Sequence, residues 1–441
     1  MYRMSSLFSF LVISLTLFAP GQLRSETSQL GLNDLIEIAL QQNPQIEIAR
    51  QQLAGDAGIL TQAKSGYLPR LGTTADYGRV YVDGLSPEDE DNVASLLLTL
   101  SQLIYDFGRT TGLIDASAFN VAASEENLRQ VYHDVVLDVK NQFYDVLESQ
   151  ELIVVAEEAV ANYTRQLYRA RKYLEAGIRT RIDVTNAEVN LANERLGLVQ
   201  AKADLQSARV ALEQTLGGAP NNGDYQVVID ETGLGDLVTD KPPIPDTLNN
   251  LLVTAEQNRP GLSGFGYLIE AAEANLRSAK GDYWPSIGVT GSYTGYDTDI
   301  SSLNDTWQVG VGATWELFSG FETEGLVAEA KANLREVTAG YRQFNLSVTQ
   351  QVTDSYLRAV ENKEGVDIAG QSLGLAEENL ELADKRYQTG LGDWLEFNDA
   401  QLLLTQNQTN LVVTYYTYLR SLARIEWSTG VIPELQDRTY R

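Results

Sequence analysis

The sequence predicts an α+β fold in which a unit of helix, β-hairpin and long helical hairpin occurs twice. Three observations support this prediction: an internal repeat, a change from helical to strand periodicity at a proline in each half, and long proline-free segments after it. The repeat appears as four landmarks in the same order in both halves. They are "NPQI" at 43–46 and "NRPGL" at 258–262, "YLP" at 67–69 and "YWP" at 283–285, "LIYDFGR" at 103–109 and "ELFSGFE" at 316–322, and "AGIRTRIDVTNA" at 176–187 and "TGLGDWLEFNDA" at 389–400.

Residues 1–25 are typical of a secretory signal. Arg3 precedes an apolar run from Leu7 to Phe18, which is too short to span a bilayer as a helix and suits the hydrophobic segment of a signal. No later run approaches the length of a membrane-spanning helix. We therefore expect residues 1–25 to be removed and the remaining chain to be exported without a helical membrane anchor.

The elements follow in the same order in each half. A short helix is predicted at 32–42 and again at 247–258, and the next helix begins at Pro44 or Pro260, because proline suits the first helical turn. Proline disfavours helix in the residue before it, so this helix ends at "YLP" or "YWP". Strand periodicity then predicts one hairpin at 70–82 and 93–105 and another at 286–297 and 306–318.

Two very long helices follow the hairpins. No proline occurs from Thr110 to Gly177 or from Phe321 to Gly390, and a continuous helix of that length would reach about 100 Å. Glu148–Glu158 and Asn362–Gly374 are candidate breaks. The returning helices carry heptads typical of left-handed coiling, although a plain antiparallel coiled-coil hairpin would show them too. The heptad residues are Leu191, Leu198, Leu205 and Leu212, and then Leu404, Leu411, Tyr418 and Ile425.

These assignments divide the chain into five segments. They are a signal (1–25), a first repeat (26–217), an inter-repeat linker (218–246), a second repeat (247–430) and a C-terminal tail (431–441).

Composition argues against most enzyme chemistry. The chain has no cysteine and one histidine, His133, which excludes disulfides, thiolate metal sites and most zinc or triad chemistry. It also lacks a phosphate-binding glycine loop, so we expect no enzymatic activity, no cofactor and no metal site. The net charge of −27 opposes binding to nucleic acid. This charge fits either ordinary solubility or an acidic cavity that concentrates cations.

The predicted strands have the pattern of outer-membrane barrel strands. Val309 and Val311 alternate with Gln308 and Gly310, and aromatic residues lie near the strand ends. One chain supplies four strands, whereas even the smallest barrels need about eight, and an open sheet edge in a bilayer leaves backbone groups unpaired. If the strands span a membrane, several chains must contribute, and three would supply twelve. A soluble hairpin would show the same alternation.

The duplicated order and the quoted landmarks resemble the TolC-type outer-membrane efflux channel family over about Leu30 to Gly430. The resemblance implies a homotrimer with a trimeric α-helical barrel and a shared twelve-stranded transmembrane β-barrel. It also implies an equatorial collar that includes the inter-repeat linker and the C-terminal tail. The proline switches would then mark the membrane boundary, where amphipathic rings favour the interface. The boundary aromatic residues are Tyr67, Phe107, Trp284 and Phe318.

The resemblance implies a passive exit duct in the cell outer membrane, with a long periplasmic part. Its partners would be outer-membrane lipid, a periplasmic adaptor (membrane fusion) protein and an inner-membrane transporter, as in tripartite efflux or type I secretion. The transporter must supply the driving force, because the chain has no energy-coupling motif. The alternative is a periplasmic coiled-coil adaptor or scaffold of an envelope transport complex.

The last long helix carries a candidate gate. Glu396 and Asp399 are three residues apart and therefore share a helix face, which on an arbitrary helix is usually solvated surface. The resemblance implies that acidic residues at these positions ring the periplasmic mouth. Three chains would then place six carboxylates around one constriction, which favours cations. The mates of Glu396 and Asp399 in the first repeat are Asp183 and Asn186.

The resemblance also implies a latch at this mouth. Tyr387 and Asp183 would help to hold the entrance closed through hydrogen bonding between neighbouring hairpins. The family has an arginine where this chain has Gly392, which puts an identical latch in doubt. Arg181, nearby in the first repeat, is a candidate substitute.

Overall fold

The computed structural model describes residues 29–80, 91–218, 226–227, 236–239, 241–298 and 303–435. The predicted signal at 1–25 lies outside these residues. Within them, no helix is both long and apolar enough to cross a membrane. The elements in chain order are β1 (Gln29–Leu30), α1 (Leu32–Gln42), α2 (Pro44–Lys64), β2 (Arg70–Val80), β3 (Asp91–Tyr105), α3 (Arg109–Glu175), α4 (Arg181–Leu216), β4 (Gln226–Val227), α5 (Asp236–Thr239), α6 (Leu248–Asn258), α7 (Pro260–Gly281), β5 (Ser286–Asp297), β6 (Asn304–Thr314), α8 (Glu322–Gln388) and α9 (Trp394–Thr429).

Helices α3 and α8 are unbroken and have 67 residues each, or about 100 Å. The candidate breaks at 148–158 and 362–374 were therefore wrong. Neither segment contains proline, and each is held along its length by neighbouring helices. In each helical hairpin the long helix is followed by an antiparallel helix of 36 residues, which is α4 after α3 and α9 after α8.

The strand predicted at 306–318 occupies Asn304–Thr314 instead. Its alternating pattern continues in sequence beyond Thr314, but the Trp315 indole donates a hydrogen bond to the Tyr283 carbonyl at 3.2 Å. The backbone then turns through Gly320 and Phe321, which both have positive φ, into α8. The first repeat makes the equivalent turn through Phe107 and Gly108.

The four long strands form one antiparallel sheet in the order β2-β3-β5-β6. Its register separates an apolar face from a polar face, because successive residues of a strand point to opposite sides. One row of the apolar face contains Leu71, Leu100, Gly291 and Val309, and the next contains Thr73, Leu98, Tyr293 and Trp307. The adjacent row of the polar face contains Gly72, Thr99, Ser292 and Gln308. The apolar side chains are exposed in the single chain.

The long helices form a wall one helix thick. Near the sheet, the neighbouring helices are α2, α3, α7 and α8 in that order, and near the hairpin turns they are α4, α3, α9 and α8. One edge of the wall is therefore α8 along its whole length, and the other is α2 followed by α4. The sheet likewise ends at β2 and β6.

In each repeat, an equivalent side chain at the start of the second helix donates a hydrogen bond to the end of the returning helix. Asn43 precedes α2 and donates from Nδ2 to the Thr215 carbonyl at 2.8 Å, near the end of α4. Arg259 precedes α7 and donates from Nη1 to the Trp427 carbonyl, near the end of α9. Both side chains are buried, and each donates to a carbonyl in the last turn of the returning helix, where helix carbonyls have no amide four residues further along in the helix to bond to.

The largest core cluster lies at the waist, where α1 packs on α3 and the chain segment after α9 returns. Lys140 is buried there and pairs with Glu426 and Glu434. His133 is also buried, and burial, together with the guanidinium groups of Arg129 and Arg259, lowers its pKa to about 4. The imidazole is therefore neutral at pH 7, and the described residues contain no acidic or histidine cluster suited to a metal ion.

Candidate functional site

The two helical hairpins turn in the same way at the end of the wall opposite the sheet. Gly177 and Gly390 adopt positive φ, of 72° and 75°, after α3 and α8. The amide that follows each glycine bonds back into the last helical turn, from Ile178 to the Tyr173 carbonyl and from Leu391 to the Arg386 carbonyl. Because the turns match, residues that are equivalent in the two repeats lie at the same end of the molecule.

Asp183 is engaged at the start of its own helix. One of its carboxylate oxygens, Oδ2, accepts hydrogen bonds from the Thr180 amide and hydroxyl, both at 2.9 Å. In the second repeat the Asp393 carboxylate caps α9 by accepting from the Glu396 amide at 2.8 Å. Each hairpin therefore uses an acidic side chain to cap its second helix.

Glu396 and Asp399 differ in their surroundings. The Glu396 carboxylate pairs across the turn with Arg386, with Nε to Oε1 at 2.7 Å and Nη2 to Oε2 at 3.4 Å. Asp399 is exposed and forms no ion pair with any described residue. An acidic face thus exists at the predicted position, but a guanidinium offsets the charge of one of its two carboxylates.

Tyr387 is the centre of a contact between the two hairpins. Only 5% of its surface is exposed, and its ring stacks on Phe397 with the ring centres 5.4 Å apart. The Arg179 guanidinium lies 4.8 Å from the Tyr387 ring centre and donates from Nη2 to the Gly392 carbonyl at 3.3 Å. We call the Arg179 contacts with Tyr387 and Gly392 the turn clasp.

The turn clasp differs from the latch that the sequence suggested. Among the described residues, no hydrogen bond joins Tyr387 to Asp183. Within the single chain Arg181 is exposed and forms no ion pair with the described residues, whereas Arg179 contacts the Gly392 carbonyl. A latch role for Arg181 stays a prediction. Burial raises the pKa of Tyr387, an effect that Arg179 opposes and Asp183 increases, so the phenol stays protonated at neutral pH.

An available signal could have identified Arg179. Aligning "GIRTRIDV" with "GLGDWLEF" places Arg179 opposite Gly392, so the arginine expected in the second repeat stands at the equivalent position of the first. The alignment does not show that the guanidinium reaches across to the Gly392 carbonyl. That contact depends on how the two hairpins pack.

The interface between the hairpins is unusually polar above the turns. Arg169 pairs with Asp384 at 2.7 Å and lies over the Phe397 ring, while the Asn190 amide donates to Asn398 at 2.5 Å. Gln166 and Gln401 are buried there, and each has a side-chain amide nitrogen without a hydrogen-bond partner. Such a seam holds the hairpins less firmly than an apolar core would.

The boundary aromatic residues lie where the helices meet the sheet. Phe107 stacks on Trp284 with the ring centres 5.4 Å apart. Phe318 makes a separate edge-to-face contact with Phe321. The Tyr67 hydroxyl lies 2.9 Å from the Thr111 hydroxyl, within hydrogen-bond distance. The structure thus brings two of the four predicted residues, Phe107 and Trp284, into contact.

A family model described as outer membrane efflux protein matches residues 35–218 and 251–431. Outer membrane efflux protein BepC of Brucella suis is 24% identical over 378 residues, which cover 82% of this chain and 78% of BepC. Alkaline protease secretion protein AprF of Pseudomonas aeruginosa is 24% identical over 426 residues, or 93% and 87% of the two chains. The solved structure of outer membrane protein VceC from Vibrio cholerae superposes with a TM-score of 0.78 at 20% identity, covering 91% of this chain and 96% of VceC.

The two segments that match the family model coincide with the two repeats, and the likeness to VceC extends over 91% of the chain. The fold is therefore that of an outer-membrane channel with a long periplasmic helical part. The match covers most of the chain, so this protein belongs to the outer membrane efflux protein family.

Proposed function

We propose that three copies of this chain form the passive exit duct of a tripartite efflux or type I secretion system. The observation that carries this proposal is that the sheet and the helical wall each end in two unpartnered edges, on the same two sides of the chain. A membrane sheet cannot keep open edges, because unpaired backbone groups in hydrocarbon cost several kcal/mol each. If each subunit is related to the next by one rotation, the edges of the sheet and of the helical wall would be paired at the same time.

The edge helices carry matching apolar seams. On α8 the exposed residues Ile368, Leu375 and Leu382 recur every seven residues, and on α4 Ile182, Val189 and Leu196 do the same. More than half of each of these side chains is exposed in the single chain. A seam of this spacing is suited to packing against another helix, so α8 of one subunit would lie on α4 of the next.

The strand count favours three subunits. Two chains would supply eight strands, and a barrel of about eight strands is filled by its own side chains or holds one small ligand. Twelve strands leave a lumen, and the polar face of this sheet would line it. Strand direction also alternates across the closure, since β6 and the next β2 are antiparallel.

Engineered cysteines test the closure directly, because the chain has no cysteine of its own. We expect Thr74→Cys on β2, combined with Thr306→Cys, Gln308→Cys or Gly310→Cys on β6, to give disulfide-linked dimers and trimers in at least one combination. Within one chain β2 and β6 are separated by two strands, or about 14 Å, which is too far for a disulfide. The measurement is the band pattern on non-reducing gels of oxidised outer membranes.

The matched control pairs Thr74→Cys with Ser292→Cys on the interior strand β5, which should give monomers alone. Bands larger than a trimer would contradict a closed ring of three. Monomers in every β6 combination would contradict the closure of β2 on β6.

We further propose that Asp399 and Glu396 form the acidic entrance, with Asp399 dominant because Arg386 offsets the Glu396 charge. Asp399→Asn should raise the concentration of a divalent cation that blocks the pore by about thirtyfold, since a close carboxylate contact with a divalent ion in water is worth about 2 kcal/mol. Glu396→Gln should change it much less. Planar-bilayer conductance with Mg²⁺ measures both, and equal effects of the two variants would contradict the unequal roles.

The partners follow from the same architecture. Ile178, Leu391 and Leu395 are exposed around the hairpin turns, and they suit docking of a periplasmic adaptor. An inner-membrane transporter would supply the energy, and the chain itself would have no enzymatic activity. The predicted equatorial collar at 218–246 and 431–441 lies in large part outside the described residues. The adaptor or scaffold alternative is not favoured, because the relatives are named as outer-membrane efflux or secretion proteins.

A further inference from the structure

The polar face of the sheet encloses a cavity next to the helices, and one charged residue lines it. The cavity is bordered by Arg70 and by hydroxyl-bearing residues, namely Ser101, Thr110, Ser286, Thr290 and Thr314. Closure of the barrel in a membrane would turn the apolar face toward lipid, so the polar face would line the lumen.

Arg70 is also the only cation on the polar face among the described strand residues. It begins β2, so it lies at the end of the barrel that meets the helical tunnel. Asp76 lies on the same face six residues further along the strand, about 20 Å away. The lumen would thus carry the positive charge of Arg70 at its base and the negative charge of Asp76 further toward its other end.

The Arg70 guanidinium is exposed and forms no ion pair with the described residues of its own subunit. An unpaired cation at membrane depth requires water, and a barrel lumen is where water is found. Its charge contrasts with the rest of the chain, whose net charge is −27.

We propose that Arg70 forms a three-membered cationic ring at the base of the barrel lumen, which draws anionic groups of the cargo from the tunnel into the barrel. This inference rests on the proposed trimeric channel. Rings of charged side chains set ion preference in pores. The Arg70 ring opposes the cation preference of the acidic entrance, so cargo that carries both charge signs meets an attractive ring at each end.

The test is the reversal potential of single channels in a KCl gradient. With Arg70→Gln we expect the ratio of chloride to potassium permeability to fall about twofold in 0.1 M salt, where three charges about 10 Å from the pore axis are partly screened. Arg70→Glu should lower the ratio further. Arg79→Gln removes the same charge from the same strand but from the opposite face, and it should leave the ratio unchanged.

A cysteine variant tests the charge without relying on altered assembly. Arg70→Cys introduces the only thiol, and a positively charged methanethiosulfonate reagent added to the assembled pore should restore the wild-type ratio, whereas a negatively charged one should lower it. Unchanged ratios in all Arg70 variants would overturn the inference while leaving the channel intact. Loss of trimer stability without a change in ratio would instead place Arg70 in a subunit contact, for example with Glu316, and would overturn it too. Absence of any conductance from the wild-type protein would overturn the channel itself.

Discussion

Val309→Arg is expected to destabilise the assembled barrel by about 2–4 kcal/mol in each subunit, the cost of an arginine on the lipid face near the bilayer midplane. Val309 lies in the middle of β6 on the apolar face, and 68% of its surface is exposed in the single chain. In the trimer this surface would contact lipid. Three such costs together exceed what most assemblies tolerate, so little heat-resistant trimer should be recovered from outer membranes.

Gln308→Arg is the matched control. Gln308 is the neighbouring residue of the same strand, and its side chain lies on the polar face. An arginine there would extend into the lumen, so the trimer should assemble at nearly the wild-type level. Semi-native gels of heated outer membranes measure both variants. Equal recovery of the two trimers would refute the assignment of the faces and, with it, the membrane barrel.

Arg179→Ala is expected to open the entrance. The variant loses one hydrogen bond and one cation–π contact of the turn clasp, together worth about 1 kcal/mol at a partly exposed site. If the three subunits open together, the closed-to-open ratio falls by about a hundredfold. Single-channel conductance and the entry of a large antibiotic into cells should both rise.

Arg181→Ala provides the control for Arg179→Ala. Arg181 lies two residues further along the same hairpin, carries the same charge and is exposed without an ion pair among the described residues. Its removal should leave conductance and antibiotic entry unchanged. If both variants open the channel equally, net charge at the mouth governs the entrance and the turn clasp does not.

The sequence was most informative where local chemistry decides the structure. Pro69 and Pro285 exclude helix from the residue before them and stand directly before β2 and β5, so the change to strand was predictable in both repeats. The faces of β6 followed from alternation alone, although its end did not. Thr314 is the last strand residue because the Trp315 indole is held by the Tyr283 carbonyl, which is distant in the sequence.

The entrance was less predictable for the same reason. Glu396 and Asp399 could be placed on one helix face from their spacing, but the ion pair with Arg386 crosses a turn and separates their roles. Alignment of the repeats distinguishes Arg179 from Arg181, but only the packing of one hairpin on the other brings Arg179 to Tyr387.

Sequence alone determined the duplicated unit, the proline boundaries, the long helices and the shortage of strands in one chain, because each depends on neighbouring residues or on a count. Tertiary structure alone decided which edges remain unpartnered, which carboxylate has an arginine beside it and which cation the polar face carries. These features depend on contacts between segments that are far apart in the chain, and hydrophobic periodicity contains no information about such contacts.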